Sequence, residues 1–226
     1  MAHLKKLVAP KSWSLDKRKD KKFVARPMPG PHKLKESITL SQILISILRY
    51  AKNKKEAMSI LNGKKALVNG KTRTELRFPV GLLDTLSIAD EHYVIVYNSS
   101  KKFSLLPIDK AGADIIFCKI INKTILKGKK IQLNFHNGNN LIVKKDGYKV
   151  GDTLLIKNKE IKKHLKFVEG ATVYITSGKY MGAMGKLEKM ERTSELSKDL
   201  ILIESGKDQI LTRKDFAFVI EKEFEK

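Results

Sequence analysis

From residue 88 to 166 the chain breaks into six short apolar or alternating runs, at 93–97, 103–107, 115–121, 131–135, 141–145 and 153–156, none longer than seven residues. Asn137-Gly138, Asp146-Gly147 and Gly151-Asp152 stand between several of them as turn signals. Short strands with this spacing predict a small β-barrel or sandwich, because no run is long enough to bury a helical face. The last quarter continues in the same style, with strands expected at 172–176, 185–190, 200–204 and 216–220.

Helix is expected only earlier. Ile43, Leu44, Ile47, Leu48 and Ala51 recur at helical spacing behind a possible N-cap at Thr39 or Ser41. Asn53 and Glu56 then form a capping-box pair ahead of Ala57, Met58, Ile60 and Leu61, and Gly63 ends that second helix. Ala66 to Val68 followed by Asn69-Gly70 reads as a strand entering a two-residue hairpin turn. Lys54 and Lys55 sit in the first turn of the second helix, where positive charge opposes the macrodipole at about 0.3–1 kcal/mol each. They are either two solvated lysines or half of a phosphate site completed by the helix amides.

Residues 1–37 obey neither period. Leu4, Leu7, Val8, Trp13, Leu15, Phe23 and Val24 are their main apolar residues, and Pro27, Pro29 and Pro31 exclude helix and central strand near the end. An extended basic arm is expected, unfolded alone and ordered on a partner. Trp13 would anchor it, by stacking on a base or by docking onto protein or an RNA groove. The division is therefore 1–37 arm, 38–90 helix-and-hairpin module, 91–166 central β domain and 167–226 C-terminal β domain, a mixed α+β chain that is mostly β.

Charge limits the partner. The chain has 46 Lys and Arg against 24 Asp and Glu, a formal +22. Residues 1–37 hold eleven basic and three acidic residues and 101–166 hold sixteen and five, whereas 167–226 are nearly neutral. A polyanion is the expected partner. One cysteine, Cys118, forms no internal disulfide, which points to a reducing compartment. The five histidines show no metal-ligand spacing, and neither a phosphate-cradling loop nor a nucleophile elbow occurs. No membrane-spanning run or signal peptide is read, so an intracellular, cytoplasmic protein is expected, with no cofactor, metal, small-molecule substrate or membrane partner.

Three stretches carry a resemblance. They are His3-Leu4-Lys5-Lys6-Leu7-Val8-Ala9-Pro10-Lys11-Ser12-Trp13 with Pro29-Gly30-Pro31-His32-Lys33, then Val68 to Thr74, then Phe78 to Ile88. Thr212-Arg213 followed by Phe216 to Ile220 adds to them. In these the chain closely resembles a family of archaeal and eukaryotic small-subunit ribosomal proteins, number four of the "e" type (S4e), over essentially its whole length. The resemblance implies an S4-like RNA-binding module at about 38–90 whose RNA surface is Lys54, Lys55, Lys64, Lys65, Asn69, Lys71 and Arg73. Gly170 to Lys186 looks like a KOW motif in an SH3-like barrel, with Ala171 where such units commonly carry an acid; Gly178, Gly182 and Gly185 serve positive φ or close backbone approach.

The implied function is a non-enzymatic constituent of the small ribosomal subunit that binds ribosomal RNA and neighbouring ribosomal proteins. Further RNA contacts are expected from the arm, at Lys5, Lys6, Lys11, Trp13, Lys17, Arg18, Lys21, Lys22, Arg26, His32 and Lys33, and from the Gly-rich loop, at Lys179 and Lys186. The rival readings are an RNA-modifying enzyme such as a pseudouridine synthase, and a translation or transcription factor built on the same modules. Gly81-Leu82-Leu83-Asp84 superficially resembles the synthase's catalytic stretch but lacks its Arg, which leaves Asp84 as a capping or turning residue.

Overall fold

The computed structural model describes residues 3–15, 22–144, 146–158, 160–191, 199–206 and 208–221. Contacts divide the chain into two compact units, 1–116 and 117–226.

In the first unit β1 (His3–Lys5) pairs antiparallel with β2 (Phe23–Ala25). The expected free arm is instead folded onto the module behind it. Trp13 is 3% exposed and its indole N–H donates to the Ser37 carbonyl at 2.8 Å, while the Phe103 amide donates to the Ser12 carbonyl. Val24 and Ala25 are buried as well. The proline run lies against 77–81: the Met28 amide donates to the Arg77 carbonyl, and a Cβ on Gly30 would stand 2.8 Å from the Pro79 ring. Sequence periodicity misses this docking because it is made by three-residue strands and one aromatic, too short to establish a period.

β3 (Ser37–Thr39) leads into a short α1 (Leu40–Gln42), capped by the Thr39 hydroxyl, which accepts from the Gln42 amide. The expected helix does not continue regularly. Ile43–Ile47 is wound as a π-helix, closed by the Leu48 amide on the Ile43 carbonyl, and the chain leaves it through Arg49 at φ 58°. Ile43, Ile45 and Ile47 are β-branched, which slightly lowers the preference of this stretch for ordinary α winding. The second helix, α2 (Lys54–Asn62), forms as its capping box specifies.

β4 (Ala66–Val68) and β5 (Lys71–Thr72) make the hairpin, with Asn69 at φ 51° and Gly70 at φ 71° as a primed turn requires. β6 (Pro79–Gly81) pairs with β3, and β7 (Thr85–Ile88), β8 (Glu91–Tyr97) and β9 (Phe103–Pro107) complete a five-stranded sheet of order β5-β4-β7-β8-β9. A short α3 (Lys110–Ala113) follows. The sheet therefore extends past residue 90, where the sequence suggested a boundary: β7 and β8 are joined by a tight turn with Ala89 at φ 52°, and a strand so connected pairs with its neighbour in the chain. Ile38, Leu40, Ile43, Leu44, Leu61 and Leu86 form the fully buried core.

The second unit holds two five-stranded antiparallel sheets. β10 (Ile116–Leu126), β11 (Lys130–Phe135), β12 (Asn140–Val143), β13 (Thr153–Lys157) and β14 (Glu160–Leu165) run in the order β12-β11-β10-β13-β14. β15 (Thr172–Ile175), β16 (Met184–Glu191), β17 (Leu200–Ser205), β18 (Asp208–Arg213) and β19 (Ala217–Val219) run in the order β18-β17-β16-β15-β19, so the last strand returns to the first. Val173, Ile175, Leu187, Ile201, Ile203 and Ala217 pack with Phe167 in its core. Asp152 ties this unit locally, accepting from the Lys149 and Phe167 amides and pairing with His164 Nε2 at 2.7 Å. The architecture is mixed α+β and mostly β.

Candidate nucleic-acid interface

α2 presents its basic first turn beside an open groove of about 530 Å³ lined by Lys54, Lys55, Met58, Ser59, Asn62 and Leu76. The helix end is partly closed by its own cap. Asn53 Oδ1 accepts from the Glu56 amide at 3.0 Å, and the Glu56 carboxylate takes hydrogen bonds from the Lys52 amide at 2.7 Å and from Asn53 Nδ2 at 2.8 Å. A carboxylate thus stands beside the helix N-terminus where a phosphate was envisaged and opposes a second anion there, while the Lys54 and Lys55 ammonium groups remain exposed.

Lys64, Lys65 and Lys71 are exposed around the hairpin. Arg73 is half-buried, with its guanidinium carbon 4.3 Å from the Phe78 ring centroid. On the arm Lys5, Lys11, Lys22, Arg26 and Lys33 are exposed; Lys17, Arg18 and Lys21 lie outside the described residues. Lys179 and Lys186 are exposed in and beside the Gly-rich loop, where Gly178 and Gly182 take φ of 95° and 91°. Gly185 serves close approach instead, since a Cβ there would stand 2.3 Å from the Glu204 carbonyl oxygen.

Four expected contact residues are corrected by their surroundings. Trp13 is enclosed by the first unit, so base stacking is excluded in this conformation, and Lys6 is buried at 7% exposure. His32 Nε2 pairs with Asp84 Oδ2 at 2.8 Å, with side chains only 4% and 2% exposed. Asn69 spends its carboxamide internally, donating to Asp84 Oδ1 at 2.7 Å and accepting from the Thr85 amide at 3.0 Å. The Gly81 amide completes the set on Asp84 Oδ2 at 2.8 Å. One buried carboxylate therefore joins the arm, the hairpin turn and β6.

Burial pushes the Asp84 carboxyl up, but the His32 charge and the hydrogen bonds from His32, Asn69 and Gly81 outweigh it and hold the group below its ordinary value. Burial likewise works against the His32 imidazolium, and the Asp84 carboxylate, with a smaller contribution from Glu36, more than offsets it and raises the imidazole. Such a pair fixes geometry; its shielded groups are not presented to a ligand.

The lysines between β10 and β12 add to this basic set beyond the residues expected from the sequence. Their signal was available: seven lysines and no acidic residue lie between Asp114 and Asp146. Among the described residues no group of three or more His, Cys, Asp or Glu side chains is placed to hold a metal ion, and no helix is long and apolar enough to cross a membrane.

Exposed cations on a small helix-and-hairpin module and on β-sheet units define a basic, modular, mostly β protein. A family model described as Ribosomal family S4e matches residues 89–163, and one described as RS4NT (NUC023) domain matches residues 2–35. The chain is 41% identical over 231 residues to the small ribosomal subunit protein eS4 of Methanocaldococcus jannaschii, covering 96% of this chain and 93% of that relative. With the eS4 protein of Methanocella arvoryzae it shares 37% over 225 residues, covering 98% and 94%. The crystal structure of the 30S ribosomal protein S4e from Thermoplasma acidophilum matches with a TM-score of 0.72 at 32% identity, covering 82% of this chain and 95% of that one. The chain belongs to the S4e family of ribosomal proteins.

Proposed function

We propose that this chain is a structural constituent of the small ribosomal subunit, working in the cytoplasm by binding ribosomal RNA and neighbouring ribosomal proteins and catalysing no reaction. The observation that carries the reading is near-full-length identity of about 40% to small-subunit proteins, joined to a +22 charge whose exposed lysines sit on rigid modules. The mechanism is electrostatic and geometric. Lys5, Lys11, Lys22, Arg26 and Lys33 on the docked arm, Lys54, Lys55, Lys64, Lys65 and Lys71 on the helix-and-hairpin module, and Lys179 and Lys186 on the Gly-rich loop neutralise phosphates, and the folded units hold those charges in fixed positions. Residues 170–186 are read as a KOW unit that adds RNA or protein contacts. Sedimentation of the tagged chain through a sucrose gradient tests the assignment: it should travel with the small subunit at moderate salt, and a chain found only at the top of the gradient would refute it.

A further inference from the structure

The β10–β11–β12 sheet carries a surface that the sequence does not display. Cross-strand register places Asn122, Asn134 and Asn140 in one row and Thr124, Gln132 and Ile142 in the next, with Leu126 opposite Lys130 at the hairpin end. The other face holds Lys123, Leu133 and Leu141, then Ile125, Ile131 and Val143. Leu133 is fully buried, so the second face turns to the core at the level of Lys123, Leu133 and Leu141 and the carboxamides turn out there; toward the hairpin end both faces meet solvent, with Ile125 81% exposed on one and Ile142 57% exposed on the other. A register shift between Ile120 and Asn122 creates this arrangement. Ile120 is buried opposite Phe135, and the extra residue in the bulge puts Asn122 and Thr124 on the outward face where simple alternation would have sent them inward.

The outward groups are linked and aligned. Gln132 Nε2 donates to Asn134 Oδ1 at 2.7 Å, and Asn134 Nδ2 donates to Thr124 Oγ1 at 3.0 Å, which fixes their orientation. Asn140 has an exposed carboxamide that bonds to no other side chain among the described residues. Beyond them the turn Lys127-Gly128-Lys129 projects with Gly128 at φ 79° and Lys129 at φ 56°, followed directly by Lys130, all exposed.

We propose that this face docks in the minor groove of an A-form RNA helix, the three strands lying on sugar and base edges while Lys127, Lys129 and Lys130 reach the flanking phosphates. The assignment rests on the proposed ribosomal function and names a surface for it. Carboxamides and a threonine hydroxyl offer donors and acceptors together and carry no charge, which suits 2′-hydroxyls and base edges better than phosphates. The minor groove of A-form RNA is wide and shallow and displays those groups. Three strands spaced about 4.8 Å apart make a plate about 10 Å across, broad enough to lie on such a groove and too broad for a narrow one. No acidic residue lies between 115 and 145, so the Lys127–Lys130 end of the sheet is complementary to phosphate, while Asp146 is paired with Lys123.

The test uses the full chain with an RNA duplex of about 16 base pairs and a DNA duplex of the same sequence as probes. A Gln132→Ala, Asn134→Ala double variant should bind the RNA duplex about tenfold more weakly, since two net hydrogen bonds are lost. Its affinity for the DNA duplex should hardly change, and its salt slope should stay as in the unaltered chain. A Lys127→Gln, Lys129→Gln, Lys130→Gln variant should instead lose about 2 from the slope of log K against log salt on the RNA duplex. Because all five side chains are outside the core, melting temperatures should match the unaltered chain, and a variant that melts early is replaced by Gln132→Glu alone, which keeps the side-chain size and should also weaken RNA binding. Unchanged RNA affinity in folded variants would overturn this surface while leaving the ribosomal reading intact. Loss of RNA-duplex binding only when Ile125→Ser is introduced would place the RNA contact on the opposite face and overturn it too. An unaltered chain that binds neither RNA duplex nor small subunit would overturn both proposals.

Discussion

Asp84 shows how a single residue can join segments far apart in the chain. Its carboxylate holds His32, Asn69 and Gly81 at once, and is itself 2% exposed. Breaking a buried pair of this kind by removing one partner costs about 3–5 kcal/mol, so Asp84→Asn should lower the melting temperature of the first unit sharply. The pH dependence has a defined sign. His32 titrates above its ordinary 6.5 in the folded chain, so its contribution is complete below 6.5 and is lost as pH rises through the raised value. Asp84 titrates below its ordinary 3.8, so its contribution is present above 3.8 and is lost as pH falls through the lowered value. The melting-temperature difference between the unaltered chain and His32→Gln should therefore be largest between about pH 4 and 6.5 and shrink toward alkaline pH; a difference constant from pH 5 to 9 would contradict the pairing. Lys119 behaves in the opposite way. Burial brings it down to about 8, with Asp215 opposing and Lys214 reinforcing the shift, while its ammonium donates to the Asp215 and Ala217 carbonyls at 2.8 and 2.5 Å. Between about 8 and 10.5 the unfolded chain holds the proton that the folded chain has released, so stability relative to Lys119→Met should rise across that window, by at most about 3 kcal/mol. The sequence identified Asn69-Gly70 as a turn and Asp84 as a turn-stabilising residue, and both descriptions fit. His32 was expected to contact RNA, and nothing in the sequence showed that it pairs with Asp84, because a contact spanning 52 positions leaves no local pattern.

At the scale of elements, legibility followed how local the determining interactions are. α2 was readable down to its cap, since Asn53 and Glu56 bond within one turn of each other. The helix before it was expected to run regularly to Ala51, and its π winding over Ile43–Ile47 is not something that apolar spacing alone reports. β10 was expected to end at Ile121; the bulge there breaks alternation, and the strand continues to Leu126 with its faces exchanged. Two element-level predictions separate packing from charge. Gly185→Ala should disrupt the β16–β17 pairing, because its Cβ would press on the Glu204 carbonyl and on Ile203, and overpacking of this kind costs about 1–3 kcal/mol or more. Gly128→Ala meets no atom within 4 Å and should cost only the penalty of a left-handed backbone, about 1–2 kcal/mol. Thermal melts of the two variants check the order. Lys54→Gln with Lys55→Gln should weaken binding to small-subunit ribosomal RNA and leave the free protein as stable or slightly more so, since both cations oppose the helix dipole. A lower melting temperature with unchanged affinity would make them structural.

For the whole molecule the question is how much of the +22 meets RNA. If six or more phosphates are neutralised, log K should fall by about 4 or more per decade of salt. The excess of sixteen basic over five acidic residues in 101–166 was visible in the sequence, but the face it occupies was not, because that depends on a single-residue bulge. Deleting residues 1–37 is a poor way to divide the charge, since it would remove Trp13, Val24 and His32 from the first unit and expose the Asp84 carboxylate. Substitution keeps the fold: Lys5, Lys11, Lys22, Arg26 and Lys33 changed together to Gln leave every buried arm contact in place. Titrations against small-subunit ribosomal RNA from low to moderate salt should then show a slope shallower by up to about 3 to 4. An unchanged slope would mean that the arm's cations face solvent and that the phosphate contacts belong to the helix-and-hairpin module or to the second unit, where Lys127, Lys129 and Lys130 are exposed. A flat response in the unaltered chain would go further, because recognition would then rest on apolar and protein contacts and the charge would be ordinary solvated surface.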